Sequence, residues 1–238
     1  MELTPDQFAT AAAAVGARAA ELVRPGMRLG LGSGRMASAF VEALRPRIAA
    51  GLVVQGLCAS QATEALAREV GIEILGSSGQ GLDLDVDGAD EFDAALNLIK
   101  GGGGALLREK VVAERSRRFW VLVDASKEVE RLCSAHPLPV EVLPYDWETT
   151  AALCETRLAC RSEQRRATDR PYRTDNGNYL LDLHFQSGIA DPGGAAQHLA
   201  EIAGVLGHGL FLDLATAVLV FEQGAVRVMG QLDQDRNP

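Results

Sequence analysis

Five consecutive apolar residues, Phe119–Val123 (FWVLV), constrain the fold of this chain more than any other feature. A strand with one face in water alternates apolar and polar residues, whereas an unbroken apolar run is typical of a parallel strand covered on both faces. A sheet of this kind carries helices on both sides. We therefore predict an α/β fold, with a Rossmann-like parallel sheet and helices on both faces.

Other strand and helix signals in the first 131 residues agree with this fold. Met27–Leu31 predicts a strand, Gly32-Ser33-Gly34 a tight turn, and Arg35–Leu44 a helix. The N–H groups at the start of such a helix point at a phosphate or another polar ligand. Ser60 predicts the N-cap of a further helix, Gln61–Val70.

The character of the chain changes after about Arg131. We predict a Rossmann-like catalytic domain made of residues 1–131 and 208–238, and a smaller inserted α+β domain made of residues 132–207. The elements expected in and after the insertion are an edge strand between prolines at Leu138–Leu143, a helix at Trp147–Leu158, a solvated loop at Arg161–Arg173, a hairpin turn at Asp175-Asn176-Gly177, a strand at Tyr179–His184, a helix at Gly194–Ala203, and strands returning to the first domain at Leu210–Leu212, Ala217–Phe221 and Val226–Met229.

The densest chemistry lies in Asp83–Lys110, which reads DLDVDGADEFDAALNLIKGGGGALLREK. The alternation at its start predicts a short strand, so Asp87 lies at the carboxyl end, where open α/β sheets bind their ligands. A Gly-Ala turn separates Asp87 from Asp90. Lys100 precedes four glycines, which let the backbone approach a ligand and offer N–H donors. Glu109 is expected in the second turn of the helix that follows.

This stretch combines carboxylates, a cation and backbone donors. A DxxD turn or a glycine run by itself is usually part of a solvated loop. Glu109 by itself would usually pair with Arg108 or Lys110 on a helix surface. Their conjunction is better explained by a reaction that takes a proton from a carbon next to a carbonyl and stabilises the enediolate.

Other function classes are disfavoured. Gly32–Ala37 fits the GxGxxA dinucleotide fingerprint, but the second strand, Leu52–Leu57, is followed by Cys58 where that fingerprint expects an acid. We therefore expect no NAD. The formal net charge of −9 argues against a nucleic-acid or anionic-membrane partner.

The cysteines and the N-terminus bear on metal binding and compartment. No cysteine or histidine spacing is typical of a metal site, so no metal is predicted. No signal peptide and no membrane span are expected, because the N-terminus carries acids and no apolar run is long enough. We expect a cytoplasmic protein with four reduced, buried thiols: Cys58, Cys133, Cys154 and Cys160.

Five motifs resemble type A ribose-5-phosphate isomerase, in that family's order and at its spacing. They are DVDGADEFD at 85–93, IKGGGGALLREK at 99–110, VDASK at 123–127, PLPVEVLP at 137–144 and TDNGN at 174–178. Looser matches, GLGSG near the N-terminus and GLF near the C-terminus, extend the resemblance over nearly the whole chain. The first two motifs are highly specific.

The resemblance implies interconversion of D-ribose 5-phosphate and D-ribulose 5-phosphate through a cis-enediolate, by a homodimer or homotetramer without metal or cofactor. Glu109 would move the proton between C1 and C2, Asp87 would handle protons on the sugar oxygens, and Lys100 would stabilise the enediolate. Asp90 would position hydroxyls, and Lys127 would hold the phosphate. The predicted substrate-binding residues are Ser33, Gly34, Arg35, Asp87, Gly88, Ala89, Asp90, Lys100, Gly101, Gly102, Gly103 and Lys127.

The chain departs from the family's pattern at the phosphate end. The family commonly reads GTGST at the first glycine turn, whereas Arg35 and Met36 here replace two hydroxyl residues. Ala12 and Ala13 stand where the family often has lysines, and 212–217 lacks its usual Asn and Asp. A cation in the first turn opposes the helix dipole unless an anion binds beside it. We therefore predict that Arg35 grips the phosphate; the alternative is that its side chain turns outward to solvent.

Two alternative functions stay open. One is a related aldose–ketose isomerase that prefers another pentose or tetrose phosphate. The other is a non-catalytic sugar-phosphate sensor, similar to the effector domains of some bacterial repressors. The joint presence of Asp87, Lys100 and Glu109, and the expected lack of a preceding DNA-binding segment, disfavour the sensor.

Overall fold

The structure is a computed structural model that describes residues 3–76 and 79–236. The chain divides into two compact units. The first comprises the chain up to Ala89, Arg108–Lys127 and the chain from Leu214 onward; the second comprises Asp90–Leu107 and Glu128–Asp213. Residues 132–207, the predicted insertion, all lie in the second unit, which also contains Asp90–Leu107.

Helices and strands alternate from α1 to β3, and runs of consecutive strands follow later in the chain. The helices are α1 (Pro5–Glu21), α2 (Gly34–Ala49), α3 (Gln61–Val70), α4 (Leu106–Glu114), α5 (Trp147–Leu158) and α6 (Pro192–Ala200). The strands are β1 (Arg28–Leu31), β2 (Gln55–Cys58), β3 (Glu73–Ile74), β4 (Leu84–Gly88), β5 (Glu91–Phe92), β6 (Leu98–Ile99), β7 (Phe119–Asp124), β8 (Leu138–Val142), β9 (Arg161–Gln164), β10 (Arg166–Ala167), β11 (Arg170–Pro171), β12 (Tyr179–His184), β13 (Val205–His208), β14 (Leu210–Phe211), β15 (Ala217–Glu222) and β16 (Ala225–Gly230). None of the helices formed by the described residues is long and apolar enough to cross a membrane.

The first unit contains a seven-stranded sheet in the order β16-β15-β7-β4-β1-β2-β3. All neighbouring pairs are parallel except β15 and β16. Every residue of β7 is buried, which confirms the interpretation of the FWVLV run. The predicted α/β class is confirmed, as are the strands at Ala217–Glu222 and Ala225–Gly230.

Local sequence signals explain the helix ends of the first unit. Thr4 and Gln7 form a capping box at the start of α1, with Pro5 as its first residue. Ser60 accepts the N–H of Thr63 at the start of α3, as predicted. Helix α2 continues to Ala49, beyond the predicted end, with Pro46 inside it. These helices and the sheet enclose an apolar core that includes Val15, Leu29, Phe40, Leu84 and Trp120.

The second unit contains a four-stranded antiparallel sheet, β13-β8-β12-β9, and a three-stranded sheet, β14-β6-β5. Its core includes Leu138, Val140, Leu181, Leu183 and Leu199. Strand β8 is internal, so the predicted edge position was wrong. Pro139 is tolerated because the β13 ladder covers only Val140–Val142 and leaves the proline beyond its end.

Two further predictions for the second unit were wrong. Arg161–Arg173 is not a loop, because β9 pairs with β12 and β10 pairs with β11. The charged residues of β9 hid its alternation of exposed and half-buried positions. Leu210–Phe211 does not return to the first unit, because β14 pairs with β6. The Trp147–Leu158 helix and the Tyr179–His184 strand are confirmed.

Candidate active site

Asp87 is the second-last residue of strand β4 in the first unit, near the carboxyl end as the alternation predicted, and its side chain is fully buried. Its Oδ1 accepts the backbone N–H of Ser33 at 3.0 Å and that of Gly88 at 2.7 Å. Gly88 itself lies in the strand, where an added Cβ would be 3.4 Å from the Cβ of Met36. The glycine turn before α2 therefore donates a hydrogen bond, from Ser33, to a side chain of the central motif.

Gly32 makes this arrangement sterically feasible. A Cβ on Gly32 would lie 2.0 Å from Cγ of Asp87, so only glycine fits beside the carboxyl group. The Gly32 carbonyl accepts the Thr63 hydroxyl at 2.8 Å. Because C=O and the following N–H of a trans peptide point in opposite directions, this bond turns the Ser33 N–H toward Asp87. Thr63 was not identified from the sequence.

Glu109 lies in the first turn of α4, one turn earlier than predicted, and is only 5% exposed. A carboxylate near a helix N-terminus is favoured by the helix dipole. Burial lowers the pKa of the next residue, Lys110, to about 8, and the Glu114 carboxylate partly opposes that shift. An exposed helix-surface pair is therefore not the environment of Glu109.

Arg35 and Lys127, two predicted phosphate ligands, line one cavity of about 280 Å³ in the first unit. Lys127 ends a short 3-10 turn, Ala125–Lys127, after β7. Arg35 is exposed, but its guanidinium carbon lies 3.8 Å from the centroid of the Phe8 ring. The side chain thus packs over the Phe8 ring of α1 and remains exposed to solvent. The remaining lining residues are Leu3, Pro5, Phe8, Asp124 and Ser126.

Ser33 and Gly34 form the start of α2. Ser33 is its N-cap residue and is half-buried. Gly34 has φ of +85°, a conformation that favours glycine. Ala12, where the family often has lysine, is buried in the core of the first unit, whereas Ala13 is exposed.

Lys100, Asp90 and the glycine run belong to the second unit, whereas Asp87 and Glu109 belong to the first. Lys100 is 2% exposed, and its Nζ lies 5.5 Å from the centroid of the Phe211 ring. Its backbone N–H donates to the carbonyl of Gly209 at 2.9 Å, which fixes the residue before the glycines.

The glycine run differs from its predicted role in one respect. The Gly102 N–H, expected to face a ligand, donates to Asp90 Oδ2 at 2.7 Å. A Cβ on Gly102 would lie 2.5 Å from Asp90 Oδ1, so this close approach requires glycine. Gly101 and Gly104 have φ of +104° and +87°, while Gly103 is exposed. The conformation of the run thus serves to hold Asp90.

The cysteines are free thiols, and only two match the predicted burial. Cys133 and Cys154 are buried, whereas Cys58 and Cys160 are half-buried. Burial raises the pKa of Cys58 to about 12 and those of Cys154 and Cys160 to about 11. Within residues 3–76 and 79–236, no three His, Cys, Asp or Glu side chains form a group that could hold a metal ion.

Comparison with known proteins identifies the family. The sequence model of ribose 5-phosphate isomerase A (phosphoriboisomerase A) matches residues 55–224. The chain belongs to the ribose-5-phosphate isomerase A family. The Ruegeria sp. TM1040 member is 46% identical over 92% of this chain and 88% of its own length. The Thermomicrobium roseum member is 45% identical over 89% of this chain and 90% of its own length.

Solved structures of ribose-5-phosphate isomerases have the same fold. The Plasmodium falciparum enzyme is 29% identical, with a TM-score of 0.87, covering 92% of this chain and 97% of its own. The Methanocaldococcus jannaschii ribose 5-phosphate isomerase A is 32% identical, also with a TM-score of 0.87, covering 92% and 98%. A D-ribose-5-phosphate isomerase in complex with phospho-erythronic acid is 31% identical, with a TM-score of 0.88, covering 96% and 100%.

Several polar residues in the ribose-5-phosphate isomerase A motifs have structural contacts that the sequence did not predict. Glu91 is fully buried and accepts the backbone N–H groups of Cys133, Ala135 and His136 at 2.5–2.7 Å. The sequence places Glu91 beside Asp90 but gives no sign of these partners, which lie more than 40 residues away in the chain.

The TDNGN motif of the ribose-5-phosphate isomerase A family surrounds a second buried carboxylate. Oε1 of Glu141, a fully buried residue of β8, accepts hydrogen bonds from Thr174, Asn176 and Asn178 at 3.0, 3.0 and 2.7 Å. Three donors satisfy one side of a carboxylate that would otherwise be costly to bury. The motif therefore joins the turn at 174–178 to strand β8. The hairpin predicted here is not formed by the flanking strands, because β11 pairs with β10 and β12 pairs with β8 and β9.

Proposed function

We propose that this protein interconverts D-ribose 5-phosphate and D-ribulose 5-phosphate, a reaction of the non-oxidative pentose phosphate pathway. One observation carries the proposal: Asp87, Lys100 and Glu109 are each at most 5% exposed. Burying three ionisable side chains costs free energy of folding, so their retention together in the family's two most specific motifs supports a chemical role.

The proposed chemistry is a proton transfer between adjacent carbons. Glu109, as carboxylate, takes the proton from C2 of the open-chain aldose and returns it to C1, which yields the ketose. Lys100 stabilises the negative charge that develops on the enediolate oxygens. Asp87 opens the sugar ring and manages protons on the sugar oxygens, while Asp90 positions hydroxyl groups.

The phosphate is proposed to bind in the cavity of the first unit. Lys127 supplies an ammonium group, and Arg35 supplies a guanidinium that suits paired hydrogen bonds to phosphate oxygens. Ser33 and Gly34 add the N-terminus of α2, where N–H groups and the helix dipole favour an anion. We expect Gly88, Ala89, Gly101 and Gly103 to line the rest of the substrate site.

A related isomerase with altered substrate preference is a second candidate, because the phosphate end of the chain differs from the family pattern. Met36 has no hydroxyl to offer a phosphate, and its side chain packs in the core of the first unit with only 8% of the residue exposed. This change affects which sugar phosphate binds and leaves the proton-transfer residues in place.

The deciding experiment measures isomerisation of ribose 5-phosphate, other pentose and tetrose phosphates, and free sugars. We expect ribose 5-phosphate to give the highest kcat/KM. A higher value for another sugar phosphate would favour the second candidate. In parallel, NMR in D₂O measures exchange of the substrate's C2 proton. Binding without exchange or turnover would indicate a sensor instead of an enzyme.

We further propose a cytoplasmic homodimer or homotetramer, in line with the family resemblance. Light scattering coupled to size-exclusion chromatography measures the mass in solution, and a monomer at micromolar concentration would contradict this assembly.

A further inference from the structure

The carbonyl groups of the first three glycines of the run, Gly101–Gly103, bond to side chains in one stretch of the second unit. Nη1 of Arg165 donates to the Gly101 carbonyl at 2.8 Å and to the Gly102 carbonyl at 3.0 Å. The Tyr172 hydroxyl donates to the Gly103 carbonyl at 3.3 Å. Three successive peptide groups are thus held through their oxygens.

The orientation of the N–H groups follows from these bonds. A trans peptide points its C=O and the next residue's N–H in opposite directions. Holding the carbonyls of Gly101 and Gly102 therefore turns the N–H groups of Gly102 and Gly103 away from Arg165. The Gly102 N–H meets Asp90 Oδ2 there at 2.7 Å. Arg165 thus orients two backbone donors and, through one of them, the Asp90 carboxylate.

The glycine run needs such an external constraint. Glycine has more backbone freedom than any other residue, and four in succession would sample many orientations of their peptide planes. Catalytic donors contribute most when they are already oriented before the reaction. Gly103 is exposed, and within the described residues 101–104 the only backbone bond is from the Gly104 N–H to the Gly101 carbonyl at 2.9 Å. The other bonds to the carbonyls of Gly101–Gly103 come from Arg165 and Tyr172.

Arg165 is itself held in place. Its Nε and Nη2 donate to the two oxygens of Asp182 at 2.9 and 2.5 Å, and both side chains are only 16% exposed. With the two bonds from Nη1, four of its five N–H donors are used. A lysine could not reproduce this planar set of bonds, although it would keep the charge.

We propose that Arg165 is a positioning residue of the substrate site, which acts by holding the peptide groups of the glycine run. The inference rests on the proposed isomerase function, because it assigns Asp90 and the Gly103 N–H to substrate binding. It adds to that function a residue outside the five motifs, in a segment that the sequence indicated to be a solvated loop.

The test compares Arg165→Lys with Arg166→Lys in the full-length chain. Arg166 is an exposed neighbour whose guanidinium donates to the carbonyl of Asp169. Arg166→Lys makes the same exchange one residue away, so it controls for effects of charge and of intrinsic helix or strand propensity. We expect Arg165→Lys to lower kcat by roughly 10- to 100-fold with less than a threefold change in KM, because small misplacements of positioning groups act on the reaction step. Arg166→Lys should keep both constants.

A substrate-free measurement separates this inference from the proposed function. In protein labelled with ¹⁵N-glycine, order parameters of the Gly102 and Gly103 amides should fall in Arg165→Lys and stay unchanged in Arg166→Lys. If the wild-type chain isomerises no sugar phosphate, the proposed function fails. The order parameters of the Gly102 and Gly103 amides then still show whether Arg165 holds the glycine run.

Two results would overturn the inference: equally rigid glycine amides in Arg165→Lys, or a wild-type kcat in that variant. If Arg165→Lys does not fold, Asp182→Asn takes its place, because it keeps the guanidinium and weakens its support. We expect Asp182→Asn to lower kcat and the glycine order parameters less than Arg165→Lys does. Wild-type values of kcat and of the order parameters in Asp182→Asn would equally refute the proposal.

Discussion

Arg35 is one of the residues where this chain departs from the family's phosphate-turn pattern, and replacing it by alanine tests the proposed phosphate site. The guanidinium lies over the Phe8 ring and lines the same cavity as Lys127. If the phosphate binds in that cavity, Arg35 needs little movement to bond with it. Arg35→Ala should therefore weaken the binding of phosphorylated sugars.

The magnitude follows from the exposure of the side chain. A hydrogen bond to a charged group contributes roughly 1.5–3 kcal/mol, and solvent screening of an exposed arginine places the expected loss at the lower limit. About 1.4 kcal/mol corresponds to a factor of ten. We therefore expect KM for ribose 5-phosphate, and Ki for inorganic phosphate, to rise about tenfold with little change in kcat. Loss of the contact with Phe8 should lower the stability by only about 0.5–1 kcal/mol.

Two control variants make the measurement specific. Arg18→Ala removes an exposed arginine of α1 that pairs with Glu21 at 3.0 Å, so it changes the net charge equally without touching the cavity. Phe8→Leu removes the ring and keeps the guanidinium. We expect a near-normal KM for Arg18→Ala and a smaller rise than tenfold for Phe8→Leu. Unchanged KM and Ki in Arg35→Ala would show that Arg35 is only a surface residue.

Four further predictions test other parts of the structure. Glu109→Gln should lower kcat by roughly 10²- to 10⁴-fold with little change in KM, and near-normal turnover of the folded variant would remove Glu109 from the mechanism. Prolonged chelator treatment should leave the isomerase activity unchanged. A loss of activity that a divalent ion restores would contradict the proposed metal-free mechanism. Glu141→Gln should lower the free energy of unfolding by about 2 kcal/mol, measured by denaturant titration, because three donors lose a charged acceptor. Burial lowers the pKa of Lys110 from 10.5 to about 8. Between these two pH values the unfolded chain binds more protons than the folded chain, so the free energy of unfolding rises with pH. Lys110→Met should therefore raise Tm at pH 7, and an equal rise of Tm at pH 10.5 would contradict this account.

Elements with a strong local signal could be predicted from the sequence. The apolar run of β7, the Ser60 cap of α3 and the central motif around Asp87 each depend on neighbouring residues. Short strand–helix–strand connections favour neighbouring positions in the sheet, and β1, β2 and β3, joined by α2 and α3, are neighbours in that order. The fold class could therefore be predicted from little more than the pattern of apolar residues and the composition.

The pairing of short segments could not be predicted in this way. Strands β5 and β6 have two residues each, and β6 pairs with β14 more than 100 residues later in the chain. Two residues carry no periodicity, so nothing in 90–107 indicated that it belongs to the second unit. The internal position of β8 was hidden for another reason, because Pro139 normally marks an edge.

The residues proposed for catalysis could be identified from sequence motifs, whereas the residues that hold the site in place could not. Thr63 contacts the backbone carbonyl of Gly32, 31 residues away. Arg165 contacts the carbonyls of Gly101 and Gly102, more than 60 residues away. A side chain that bonds to a carbonyl leaves no pattern in the sequence, since every residue offers the same acceptor. Such supports become visible only in the folded chain.

The division of the chain into units restricts how the protein could be recombined. The chain passes from one unit to the other after Ala89, Leu107, Lys127 and Asp213. Asp87, Glu109 and Lys127 each lie within two residues of one of these passages. Neither unit can therefore be obtained by trimming the ends of the gene. A chimera that takes its second unit from a relative would need four splice points. Three of them lie beside residues proposed to act on the substrate, so those three splices would test the site as well as the fold.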